Sequence, residues 1–259
     1  MSDILTIIND GVMTITLNRV DKKNSITSAM YTVMADALQQ AADDPAIRVA
    51  LLLGHETIFC AGNDIGDFLH RPPTTTDLPV HLFLRGIAGF PKPIIAAVCG
   101  AAVGVGTTML LHCDLVYAGD NAVFSLPFVN LGLCPEAASS LLLPQMLGYH
   151  RAAEMLLFGE PIKADAALAM GLVNRVVPPA QANALALEQA KKLTTKPMSP
   201  LLEIKRLAKK SQASLVMERM AEEGASFAHV ARARCEGGIH RVSGKTQTGF
   251  FAVLNKTFL

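Results

Sequence analysis

Three stretches of this sequence combine residue types that can do chemistry. Two are glycine-punctuated turns: Phe59-Cys60-Ala61-Gly62-Asn63-Asp64-Ile65, and Cys99-Gly100-Ala101-Ala102-Val103-Gly104-Val105-Gly106-Thr107-Thr108. Glycine lets the main chain approach a ligand closely and adopt dihedrals that other residues avoid. A helix N-terminus adds unpaired N–H donors at the positive end of its dipole. Two such turns brought together would form an oxyanion hole from the main chain alone. Taken singly, each turn is also explained by tight packing, because glycine turns are common. A phosphate loop fits poorly: Gly100-x-x-x-Gly104-x-Gly106 has the wrong glycine order for a dinucleotide fingerprint, and no Gly-Lys-Ser/Thr follows.

The third stretch runs from Phe124-Ser125-Leu126-Pro127-Phe128 through Asn130-Leu131-Gly132-Leu133-Cys134-Pro135-Glu136 to Ala137-Ala138-Ser139-Ser140. Glu136 stands alone among apolar and small residues. Partial burial would raise its pKa and suit it to general-base work. The alternative is a carboxylate in the first turn of a helix begun by Pro135, where the dipole favours it. From these residues alone both readings stand. The seven histidines are scattered without metal-ligand spacing, so no metal is expected. The five cysteines, Cys60, Cys99, Cys113, Cys134 and Cys235, form no C-x-x-C pair and read as reduced core thiols.

Elements that would position these residues can be read from the pattern. The chain has 259 residues, 51% hydrophobic and 17% charged, enough to bury a sizeable core without staples. A formal net charge of +1 leaves no global field to recruit nucleic acid or an anionic membrane. Leu5–Ile8 and Val12–Leu17 flank Asn9-Asp10-Gly11 as a hairpin. Thr27 or Ser28 can cap a helix to about Ala42, ended by Asp43-Asp44-Pro45. Val49–Leu53, Ile94–Val98 and Leu115–Ala118 read as buried strands, with a helix expected from Val105 to His112. Arg71-Pro72-Pro73-Thr74-Thr75-Thr76 reads as a surface loop. Strands alternating with helices predict an α/β core over residues 1–190. Helices are expected over 180–193, 200–210 and 215–234, and residues 191–259 read as a helical C-terminal appendage. The uncharged run Ile94–Leu111 mimics a membrane span, but Pro93 and three glycines, with His112 and Asp114 following, favour short buried elements. Lys191, Lys192, Lys196, Lys205, Arg206, Lys209 and Lys210 form a basic run that reads as a solvated helix face, or as a dock for an acidic partner or RNA.

In this order and spacing the three stretches resemble the enoyl-CoA hydratase/isomerase (crotonase) superfamily. Leu17-Asn18-Arg19 to Asn24-Ser25-Ile26 and the region from Phe250-Phe251 to Lys256 resemble the family's two ends, so the likeness covers essentially the whole chain. It implies a crotonase-like α/β spiral of β-β-α units with a helical C-terminal trimerisation region. It also implies an acyl-CoA thioester as substrate, coenzyme A as part of that substrate, and no permanently bound cofactor. By residue match the two oxyanion donors are the N–H groups of Asn63 and Val105. Val105 stands where the family often has glycine, and a main-chain donor survives a side chain. The same match implies that Ala61, Gly62, Asn63, Asp64, Ile65 and Gly104 lie along the coenzyme A moiety, with Lys23 and Lys256 near its phosphates. For Asp64 a loop cap is an equal reading, and for Lys22 and Lys23 a solvated pair.

Typical hydratases of this superfamily carry two glutamates that hold a water. The matching positions here are Thr108 and Phe128, which cannot serve as an acid–base pair. Glu136 matches the single catalytic base of the peroxisomal-type Δ3,Δ2-enoyl-CoA isomerase branch. The resemblance thus implies double-bond isomerisation. Hydration, another crotonase-fold reaction, and a non-catalytic acyl-CoA-binding module are the alternatives. A homotrimer or dimer of trimers is expected, with no membrane or nucleic-acid partner. The lack of a leader-like start or a Ser-Lys-Leu end points to a cytoplasmic location.

Overall fold

A computed structural model describes residues 2–64, 66–67 and 78–236. Ile65, Lys256, the 71–76 loop and the Phe250-Phe251 region lie outside the described residues. The hairpin pairs β1 (Ile4–Asn9) with β2 (Val12–Leu17) across Asp10-Gly11, both at positive φ. Helix α1 (Ser28–Asp43) starts at Thr27, whose hydroxyl accepts from the Met30 N–H. It ends against the ammonium of Lys92, which donates to the carbonyls of Ala41, Asp44 and Ile47. The bond to Ala41 satisfies a carbonyl that the helix terminus leaves open, and the other two tie down the loop that follows.

From β3 onward the chain spirals. β3 (Val49–Leu53), β5 (Ile94–Val98), β7 (Leu115–Gly119) and β10 (Arg175–Val177) extend a six-stranded sheet in the order β1-β2-β3-β5-β7-β10. β4 (Ile58–Cys60), β6 (Ala101–Val103), β8 (Val123–Ser125) and β9 (Ile162–Lys163) form a second sheet in that order. Each turn therefore gives one strand to each sheet before a helix intervenes. Those helices are α2 (Pro79–Gly89), α3 (Val105–Thr108), then α4 (Ser139–Leu147) with α5 (Tyr149–Phe158). A short α6 (Ala164–Met170) leads into β10. This is the β-β-α spiral that the resemblance implied. The expected helix from Val105 to His112 is α-helical only to Thr108 and tightens to a 3₁₀ turn over Met109–His112.

The apolar strands face apolar surfaces on both sides. In β3, Ala50 and Leu52 enter the main core, whereas Val49 and Leu51 enter a second cluster with Ala186 and Ala190. β5 divides likewise, Ile94, Ala96 and Val98 from Ile95 and Ala97. Burial on both faces is why these strands read as continuous apolar runs. Ala186 and Ala190 lie on α7 (Pro179–Thr194), which packs on the sheet; α8 (Met198–Lys209) and α9 (Ala213–Glu236) follow.

The basic run is mostly a solvated face, with Lys191, Lys192, Lys196, Arg206 and Lys210 exposed, but Lys205 and Lys209 turn inward. Lys205 has a side chain only 9% exposed and pairs with Asp114 at 2.7 Å, and Lys209 donates to the His112 carbonyl. Lys191, Lys192 and Arg206 pair with Asp10, Glu188 and Glu203. Neighbouring carboxylates thus offset much of the run's charge. Among the described residues no helix is long and apolar enough to cross a membrane. The Ile94–Leu111 run is cut into β5, β6, α3 and part of the 3₁₀ turn.

Candidate active site

The two glycine turns leave neighbouring parallel strands at the same end. β4 pairs with β6 in parallel, and Asn63 and Val105 follow shortly after their last residues. Gly62 sits at φ +94°, where a Cβ would lie 3.2 Å from the Val103 carbonyl oxygen. A Cβ on Gly106 would meet the Cys60 carbonyl at 2.8 Å. The α3 N-terminus therefore abuts the end of β4, an approach that only glycine permits. Gly104 has open space around it, but its φ of +55° with ψ of −117° disfavours any side chain.

Asn63 forms an isolated parallel bridge with Ile26. The Ile26 N–H donates to the Gly62 carbonyl and the Asp64 N–H donates to the Ile26 carbonyl, each at 2.8 Å. In such a bridge the central residue's own N–H points the other way, here away from the Ile26 segment. Val105 is the first residue of α3, whose leading N–H groups have no intrahelical acceptor. Among the described residues neither the Asn63 nor the Val105 N–H has an acceptor. The Tyr31 hydroxyl donates to Asn63 Oδ1 and fixes that side chain.

The charge of Glu136 reaches two residues of this site, Tyr31 and Cys60. Burial first, and the charge of Glu136 next, raise the Tyr31 phenol well above its usual value. Burial pushes the Cys60 thiol up to about 12; the Gly62 N–H opposes the rise and the charge of Glu136 adds to it. Glu136 retains partial exposure, yet protein packed around its carboxyl strips most of its hydration. That burial, with the like charge of Glu223, raises its pKa to about 7. The first-turn reading of Glu136 fails. Helix α4 begins only at Ser139, after Ala137 and Ala138, both at positive φ. The carboxylate that receives its open N–H groups is Glu223 of α9, which accepts from Ala138 at 2.6 Å and Ser140 at 2.9 Å. On the other side, the Ala137 carbonyl accepts from His112 Nε2 at 2.8 Å. Burial pushes His112 down to about 4 despite that bond, with Lys209 and Lys205 adding to the effect, so it is the neutral donor tautomer.

Thr108 is fully buried, its hydroxyl unpaired among the described residues, and Phe128 is buried as well. The Lys23 carbonyl accepts from the Ala61 N–H, which sets this exposed lysine beside the first donor loop. Asp64 accepts from the Asp67 N–H and from Arg19 at 2.7 Å. Burial opposes its ionisation, but Arg19, the Asp67 N–H and Ser25 outweigh that and hold its carboxyl below the usual range. Sequence reasoning missed Tyr31, His112 and Glu223. Each is distant along the chain from the residue it supports, and only an unmatched polar residue in an apolar helix face hinted at the first two.

A family model described as enoyl-CoA hydratase/isomerase matches residues 7–250. The rat protein "Enoyl-CoA delta isomerase 2" is 39% identical over 68% of this chain and 46% of its own length. The chain thus spans about half the length of that relative. The Escherichia coli K12 "2,3-dehydroadipyl-CoA hydratase" is 33% identical over 89% of this chain and 91% of its own length. The solved structure of OdaA from Pseudomonas aeruginosa is 45% identical with a TM-score of 0.87, covering 90% of this chain and 94% of that one.

Proposed function

The chain belongs to the enoyl-CoA hydratase/isomerase family, and from that premise we propose that it is a Δ3,Δ2-enoyl-CoA isomerase with Glu136 as its one base. The observation that carries this reading is a single carboxylate, raised to about 7, whose charge reaches Tyr31, the hydrogen-bond partner of Asn63. The Asn63 and Val105 N–H groups would receive the thioester oxygen. Ionised Glu136 takes a proton from C2 of a 3-enoyl thioester, and the electron pair spreads through the allylic system as a dienolate. Charge on the thioester oxygen then grows where the donors point; one such donor contributes roughly 3 kcal/mol. Protonated Glu136 returns the proton at C4, which leaves the double bond at C2–C3 and restores the base. Near neutral pH, a base with a pKa of about 7 both accepts and returns a proton readily.

In this reading Lys23, Ala61, Gly62, Asn63, Asp64 and Gly104 line the coenzyme A path, and the enzyme keeps no permanent cofactor. It assembles as a homotrimer or dimer of trimers through residues 191–259 and works in the cytoplasm. A monomer in light scattering contradicts the assembly. Hydration is the second reading, favoured by the 91% coverage of the E. coli hydratase and opposed by Thr108 and Phe128 in the glutamate positions. Offering 3-hexenoyl-CoA and trans-2-hexenoyl-CoA separately decides between them. Rapid 2-enoyl formation from the first, with little 3-hydroxyacyl product from the second, supports isomerisation. Fast hydration of the second overturns it.

A further inference from the structure

We propose that Glu223 of α9 is the positioning residue of this site, because its carboxylate holds the turn that aims Glu136. The inference rests on Glu136 being the base. The turn after Glu136 is intrinsically unfavourable: Ala137 and Ala138 take φ values of 59° and 56°, a region that costs a non-glycine residue energy. Such a pair persists only where surrounding contacts over-determine it. Those contacts come from two directions. His112 Nε2–H donates to the Ala137 carbonyl. Glu223 accepts from the N–H of Ala138, the N–H of Ser140 and, at 2.6 Å, the Ser140 hydroxyl.

Glu223 is 5% exposed and comes from a helix more than 80 residues further along the chain. Its carboxylate accepts every bond it makes here; burial raises its pKa, and the bonds from Ser140 and Ala138 with the charge of Arg219 offset only part of that rise. Arg219 in turn donates to the Ser140 hydroxyl and pairs with Glu222. The groups whose charge meets Glu136 are Glu223 from α9, Tyr31 from α1 and Cys60 from β4, while His112 is neutral. Glu223 therefore does two things at once. Its hydrogen bonds fix where the base points, and its charge keeps the base from ionising too readily. It touches no reacting atom, and an oligomerisation-region helix thereby reaches the chemistry.

The test is a kinetic series on the full chain with 3-hexenoyl-CoA, folding being checked by circular dichroism and thermal melting. Glu223→Gln should lower kcat by about 10²-fold, the scale of a small misplacement of a reacting group, with KM little changed. The acid limb of its kcat/KM profile should move to lower pH, because the like charge beside Glu136 is gone. A general structural weakening does not move that limb. Glu223→Asp keeps the charge and should leave the limb in place while recovering part of kcat. If Glu223→Gln does not fold, Ser140→Ala serves: it removes one bond to Glu223 but no charge, so kcat should fall severalfold with the limb unmoved. Wild-type kcat and limb in folded Glu223→Gln, or wild-type kcat in Ser140→Ala, overturn the assignment of Glu223. Wild-type turnover in Glu136→Gln is a separate outcome, which removes the base and with it the proposal.

Discussion

The loops that leave β4 and β6 and the loop that carries Glu136 make up the proposed site, but they are held in different ways. The first two are continuations of paired strands. Their proposed donors are the main-chain N–H groups of Asn63 and Val105, set by sheet register and by glycines packed against neighbouring backbone. The Glu136 loop has no strand to continue. It passes through two left-handed alanines and is secured by side chains from elsewhere, His112 on one flank and Glu223 on the other. One half of the site tolerates side-chain change as long as the backbone keeps its path. The other half depends on particular side chains at every step.

Substitutions can break this contrast or sharpen it. The largest effect should come from the side-chain half. Glu136→Gln should reduce turnover by at least about 10²–10⁴-fold while acyl-CoA binding, followed by calorimetry, persists. The same variant carries a stability signature. The pKa of Glu136 is raised from 4.5 to about 7 in the folded chain, so the native state binds its proton more tightly than the unfolded one. Stability is therefore lost as pH rises between those values. Glu136→Gln should accordingly melt higher than wild type at pH 8, with the difference fading towards pH 4. Wild-type kcat/KM should rise with pH through about 7 as the base ionises; a limb near 4.5 would mean that the carboxyl is well hydrated.

Next in size is the backbone of the other half. Gly104→Ala meets no atom within 4 Å, so any loss must come from the forced dihedral. Displacement of the Val105 N–H should cost up to about 10²–10³-fold in kcat. Tyr31→Phe removes the hydrogen bond to Asn63 Oδ1 but not the Asn63 N–H. A loss on the order of 1 kcal/mol in stability and a severalfold fall in kcat are expected from melting and steady-state rates. Smallest should be Val105→Ala, which keeps the donor; kcat within a few-fold of wild type would agree with a main-chain role. A collapse of activity there comparable to that of Gly104→Ala would erase the distinction between the two halves.

Much of the frame was legible from residue types. Val49–Leu53 and Ile94–Val98 form strands with the bounds expected, and the Thr27 cap starts α1. These signals are local: apolar runs, a capping hydroxyl, a turn dipeptide. The expected helix after Gly104 exists but changes to 3₁₀ at Met109, a tightening that no propensity marks. The solvated-face reading of the basic run holds for Lys191, Lys192, Lys196, Arg206 and Lys210 but not for the other two, because charge counted along a helix says nothing of Asp114 and the His112 carbonyl beneath Lys205 and Lys209.

The sequence alone determined which groups could act. Glycines at 62, 104 and 106 announce backbone that must come close or bend unusually, and Glu136 announces a carboxylate amid apolar neighbours. Those are properties of residue type, and they travel with the chain. Only the tertiary structure decided that Glu136 does not cap the helix that follows it. Two readings were open because a carboxylate near a helix start looks the same in sequence whether it caps that helix or not. The fold gives the capping to Glu223, brought in by α9, and leaves Glu136 to face Tyr31 and Cys60 with its pKa raised. That assignment depends on burial and on a like charge across some 87 positions of chain, and both come into existence only when distant segments pack.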